Sequence, residues 1–174
     1  RLQSQITQQN TQLQSIRILT VQHSQSYHTT VGRINSRLQV GTTPGNPAMV
    51  SQWNVAQASL AQVESDIAQM NTLANGVAST STLSAYLLET TRAAYGLSGA
   101  IDEDHRQLSI LEDEVNRTVV LIDRLLNELS EDISRQSNYL SAERSNLTTM
   151  ALAIKNGEML GSSLGNRAFS SAAP

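Results

Sequence analysis

The side chains best able to hold a metal stand together once in this chain, at Asp102-Glu103-Asp104-His105. Asp102 and His105 form a carboxylate-x-x-His pair, a spacing that turns two ligands to one face of a helix. A di-metal site in a helical bundle needs that element twice, with two further glutamates, and no second copy is present. Three carboxylates at a helix start instead complement the positive end of the helix dipole, and that reading is adopted. His23 and His28 are five residues apart, off the i,i+4 spacing that would put two imidazoles on one helical face. His23 falls on an apolar stripe and is predicted to be a core-layer residue bonded across a helix interface. Cysteine is absent, which excludes disulfides and thiolate metal sites. No nucleophile elbow, phosphate-binding loop or dinucleotide fingerprint occurs. The expectation is a chain with no catalytic residues, no cofactor and no metal.

The elements are read from periodicity. Leu108, Leu111, Val115, Thr118, Ile122, Leu125 and Leu129 step 3-4-3-4-3-4, a heptad seam with one threonine in it. Charged residues, Glu112, Asp113, Arg117, Asp123, Arg124 and Glu128, lie away from it. No glycine or proline lies between Ala100 and Asn156, so one helix can run through the whole stretch, roughly 85 Å at 1.5 Å per residue. After Leu129 the seam is expected to move to Ile133, Leu140, Leu147 and Ile154, with a stutter that locally unwinds a supercoil. Lys155-Asn156-Gly157 reads as its stop. A rod of this length needs partners along it.

Residues 1–40 carry a helical stripe, Leu2, Ile6, Leu13, Ile16, Tyr27, Val31, Ile34 and Leu38, interrupted by Gln9, Thr20 and His23. Polar seam positions weaken a helix pair but sharpen its register and partner choice. The alternative is a frayed arm. Residues 1–63 hold four arginines and no acid, a charge of +4, and residues 64–174 hold 8 bases and 15 acids, a charge of −7. A basic first helix beside an acidic last helix is the simplest use of this split. Four arginines over 63 residues are too sparse a footprint for nucleic acid. Because the central seam of the last helix is nearly all apolar, its match to the polar positions of helix one is imperfect. Part of helix one is therefore expected to face another molecule, with Arg17, His23, Arg33 and Arg37 as the interaction candidates, in self-association or with a helical partner protein.

Residues 41–47, Gly-Thr-Thr-Pro-Gly-Asn-Pro, are the clearest turn, with Asn46 as N-cap and Pro47 as first helical residue. The seam of helix two is Trp53, Ala56, Leu60, Val63, Ile67, Met70, Ala74 and Val77, and Trp53 is expected to cap the core where helices one and two meet. A second seam runs Leu83, Leu87, Thr90, Ala94, Leu97, Ile101, Asp104, Leu108, which allows one continuous helix from Ser81 to Asn156. Length matching favours a reversal at 96–101, with a kink or short loop at 76–80. The predicted fold class is all-α: an elongated antiparallel helical bundle or coiled coil of about three long helices. They span about 2–40, 48–96 and 100–156, in one domain over 1–156, with 157–174 a flexible tail or linker.

The run NRTVVLIDRLLNELSEDISRQSNYLSAERSN from Asn116 to Asn146, followed by LTTMALAIKNGEMLGSSL, resembles coiled-coil segments of bacterial cell-envelope proteins, over about the last third of the chain. In some of these a membrane-tethered helical rod precedes a separate folded domain. The resemblance implies a periplasmic or envelope location and a spacer or assembly role. Arg1 is not a start residue, so the chain is read as processed or a fragment, and a membrane anchor outside the given sequence fits that reading. The expected function is a non-catalytic helical scaffold, spacer or assembly module acting through protein contacts. The alternative is a sensory helical bundle of a receptor, which needs a pocket with convergent polar groups. Arg33, Arg37 and Arg92 are its candidates, and nothing in the spacing makes them converge.

Overall fold

The computed structural model describes residues 1–95 and 102–159. They form three helices, α1 (Leu2–Val40), α2 (Pro47–Tyr95) and α3 (Asp102–Asn156), of 39, 49 and 55 residues, and no strand occurs among them. The chain is an all-α three-helix bundle. Its helices divide into two compact units, Arg1–Arg17 with Ala68–Ser134 and Ile18–Ile67 with Arg135–Pro174. In the first, Ile6, Leu13 and Ile16 of α1 pack with Met70, Leu73 and Val77 of α2 and Ile122, Leu125 and Leu129 of α3. In the second, Tyr27, Ile34 and Leu38 are buried, as are Ala56, Leu60 and Val63 of α2 and Leu140, Leu147 and Met150 of α3.

Side-chain contacts between the helices fix their relative direction. In the second unit His23 meets Asp66 and Ser26 meets Ser59, so α1 and α2 run antiparallel. Trp53 meets Leu147 and Glu64 meets Arg144, so α2 and α3 do too. In the first unit the ion pair Arg92–Glu112 continues the α2–α3 pairing, and one helix from Ser81 to Asn156 is not formed. The reversal expected at 96–101 lies outside the described residues, as does the tail from residue 160 onward.

Helix ends follow local chemistry. Asn46 caps α2, its Oδ1 accepting from the Ala48 amide at 2.9 Å, ahead of Pro47 at the first helical position. Gly157 ends α3 with φ +82°. Its amide donates to the Ile154 carbonyl and that of Glu158 to the Ala153 carbonyl, at 3.2 Å each, which is the Schellman arrangement. The α1–α2 loop then docks on this cap. The Thr42 amide donates to the Gly157 carbonyl at 2.8 Å and the Gly45 amide to that of Ile154 at 3.0 Å.

The kink or loop expected at 76–80 is not a break in helix: α2 is helical throughout. The hydroxyls of Ser79, Thr80 and Thr82 bond back to carbonyls one turn earlier. Gly76 costs about 1 kcal/mol in a helix interior. A Cβ there would lie 3.7 Å from Gln9 Nε2, an ordinary van der Waals contact, so the packing at this position does not demand glycine. The seam of this half of α2 also differs from the expected one. Thr80, Ser84 and Thr91 are buried, whereas Leu83 and Leu87 are exposed; helix phase puts the small polar residues inward. In α3 the seam after Leu129 steps to buried Asp132, then half-buried Gln136 and buried Leu140, with Ile133 only half-buried. The doubled four-residue step thus falls at 132–136–140.

Candidate functional site

The polar seam residues of α1 find partners inside the chain. Gln9 Nε2 donates to Thr80 Oγ1 at 3.0 Å. His23 Nδ1 lies 2.7 Å from Asp66 Oδ2, and Asp66 is 1% exposed. Arg17 Nε donates to Asp132 Oδ2 at 2.6 Å and its Nη2 lies 3.2 Å from Glu128 Oε2, while Arg124 Nε reaches Glu128 Oε1 at 2.9 Å. The imperfect match expected from an apolar α3 seam is corrected here. Asp132 sits on that seam and Asp66 on that of α2, so Arg17 and His23 are spent on internal layers. Arg33 and Arg37 differ: both are exposed, and neither forms an ion pair with another described residue. The four candidates therefore do not make one site.

These layers set the electrostatics. Burial acts to lower the Arg17 guanidinium, but the hydrogen bond and charge of Asp132, with the charge of Glu128, outweigh it and hold it above its ordinary value. The bond from Arg124, against the opposing effect of burial and with the charges of Arg17 and Arg124, holds the Glu128 carboxyl below its ordinary value. The unit containing them carries 6 bases and 11 acids, a net of −5, and the other 6 bases and 4 acids, a net of +2. The basic–acidic pairing of α1 and α3 is thus real at Arg17 and does not extend to Arg33 and Arg37.

A second cluster, which the sequence reading did not identify, lies between α1 and α3 in the second unit. Tyr27, fully buried, donates its hydroxyl to Glu143 Oε2 at 2.7 Å, and Asn146 Nδ2 donates to the same oxygen at 3.1 Å. Burial, then the Glu143 bond and charge, push the Tyr27 phenol far above its ordinary value. One turn away, Tyr139 Oη and His28 Nε2 are 3.0 Å apart, and burial is the main cause of the raised Tyr139 phenol. Only the buried Tyr27 had a sequence signal, its place on the α1 stripe.

Trp53 ties α2 to α3. It is half-buried, and its Nε1 donates to the Leu147 carbonyl of α3 at 2.8 Å. Asp102, Glu103 and Asp104 are the exposed first turn of α3. His105 stacks on Tyr95 with ring centroids 6.0 Å apart. Among the described residues no group of three or more His, Cys, Asp or Glu is placed to hold a metal. Arg92 pairs with Glu112. No helix of the described residues is long and apolar enough to cross a membrane. Comparison with known proteins returns no match among family models, curated proteins or solved structures.

Proposed function

We propose that the chain is a non-catalytic helical scaffold or assembly module, engaged along its helices by other proteins or by further copies of itself. Its place in a bacterial cell envelope follows from the coiled-coil resemblance of its last third. The observation that supports the reading most is the division of labour among side chains. The groups with chemical capacity, Arg17, His23, Asp66 and Asp132, are tied into pairs between helices. Large apolar side chains meanwhile stand in solvent on all three helices, among them Ile18, Tyr86, Ile110 and Val120, each 56–67% exposed. Scattered exposed apolar residues are ordinary; recurring on every helix of a chain otherwise poor in aromatic core residues, they offer contact area for a partner. Arg33 and Arg37, left unpaired among the described residues, supply exposed charge on α1. Sedimentation equilibrium over a wide concentration range, at low and high salt, tests the reading together with capture from envelope extracts. Association weakened by Arg33→Glu with Arg37→Glu, and by salt, is the expected result. A monomer at every concentration that also captures no protein would defeat it. The second reading, a ligand-binding sensory bundle, is favoured by one groove in the second unit.

A further inference from the structure

Four grooves between helices share one feature: each is lined by a carboxylate. In three of them an arginine lines the same groove. Glu128 has Arg17 and Arg124, Glu114 has Arg1, and Glu64 has Arg144. The fourth, between α1 and α3 in the second unit, has a volume of about 410 Å³ and contains Glu143 but, among the described residues, no arginine or lysine. Glu143 is half-buried, where opposite charges attract more strongly than in bulk water. Its Oε2 already accepts from Tyr27 and Asn146, which fixes the carboxylate in place. Its Oε1 has no partner among the described residues, and neither has the Asn35 side chain. The Asn35 and Asn146 amides line the groove with Glu143, and the remaining wall includes Val31, Leu38 and Met150.

We propose that this groove binds a primary ammonium carried on a short apolar chain. An ammonium brings three N–H donors and no acceptor. Glu143 Oε1 and the amide oxygens of Asn35 and Asn146 are a matching set of three acceptors, one of them charged. The apolar wall takes the alkyl chain, and the volume lies in the range of small-molecule sites. An alcohol would lose the charge pairing, and a carboxylate would meet Glu143 with like charge. The inference is independent of the scaffold reading, which stands or falls on association and not on this groove.

The test is calorimetric titration of the full chain with n-hexylammonium chloride, n-hexanol and sodium hexanoate, with amide chemical shifts locating the site. Hexylammonium is expected to saturate a single site at least about tenfold more tightly than either control, shifting residues around 31–38 and 143–153. Glu143→Gln, which keeps an acceptor for Tyr27, should weaken it at least about tenfold. Asn35→Leu, at a half-buried position, gives the same answer if the first variant fails to fold. Equal affinity for hexanol, unchanged affinity in both variants, or no saturation by the folded chain would overturn the proposal. So would a large gain in affinity on Arg167→Gln, since the chain's own arginine would then be the natural cation of the groove.

Discussion

Gly157 and Gly45 both have positive φ, +82° and +66°, so alanine at either position incurs the same kind of backbone penalty, about 1 kcal/mol. Their surroundings differ. A Cβ on Gly45 meets nothing within 4 Å, whereas one on Gly157 would run into the Thr42 carbonyl oxygen and lie 2.9 Å from Pro44 N. Both obstacles are backbone, so no side chain can swing aside. Relief requires the α1–α2 loop to lift off the α3 cap, which gives up the Thr42–Gly157 and Gly45–Ile154 bonds at about 1 kcal/mol each. Gly157→Ala should therefore cost about 3 kcal/mol and Gly45→Ala about 1 kcal/mol. Urea unfolding followed by far-ultraviolet circular dichroism and by the fluorescence of Trp53, the single tryptophan, measures both. Trp53 hangs on the α3 backbone at Leu147 and reports on the unit that contains both glycines. Equal costs for the two variants would refute the close docking of loop on cap and leave only the φ penalty.

Removing Arg17 with Met leaves Asp132 buried without its 2.6 Å donor; a loss of about 2–4 kcal/mol is expected in urea titrations, and adding Asp132→Leu should return most of it. His23→Leu should destabilise by a similar mechanism through Asp66, and the double change with Asp66→Leu should cost less than His23→Leu alone when both are measured by thermal melts. Glu128 has a lowered carboxyl, so its stabilising contribution is complete above the ordinary carboxylate range, near pH 4.3, and is lost as pH falls through the lowered value. Arg124→Met should shrink that acid-side loss in stability measured between about pH 5 and pH 3. His105→Ala is expected to leave the content of bound metal unchanged by elemental analysis and to alter stability only slightly.

Periodicity made the three helices and their caps legible, because apolar spacing and the Asn-Pro and Asn-Gly punctuation act locally. It misled where burial was decided between helices. Asp132 stands three residues after Leu129 and continues the 3-4 rhythm of its seam, whereas Asp66 lies beside Ile67, the residue on which the α2 rhythm falls. Neither is legible as a core residue in the sequence, because a charged residue is not expected in a seam. The partner that makes each tolerable, Arg17 or His23, lies 115 or 43 residues away in sequence. The leucines at 83 and 87 misled in the opposite sense: they keep heptad spacing but lie off the face that α2 turns to Gln9. Gly76 reads locally as a break, yet α2 runs through it unbroken. The Glu143 groove could not be read at all, since its lining brings together residues of α1 and α3 more than 100 positions apart in sequence.

The paired acids also bear on how such a chain avoids folding into the wrong alignment. Long helices with repeating leucines can slide by seven residues and still bury a similar amount of oil-like surface. If α1 slipped one heptad against α2, Asp66 would face Ile16 or Thr30 in place of His23; a slip against α3 would set Asp132 opposite Asn10 or Ser24 in place of Arg17. Each error would break a pair at a buried carboxyl, at a penalty of several kcal/mol, comparable with a large share of a domain's entire net stability. Mis-threaded forms would thus dissolve quickly and rarely accumulate as traps. The few charges inside this protein act as alignment keys, correcting what its monotonous apolar spacing leaves ambiguous.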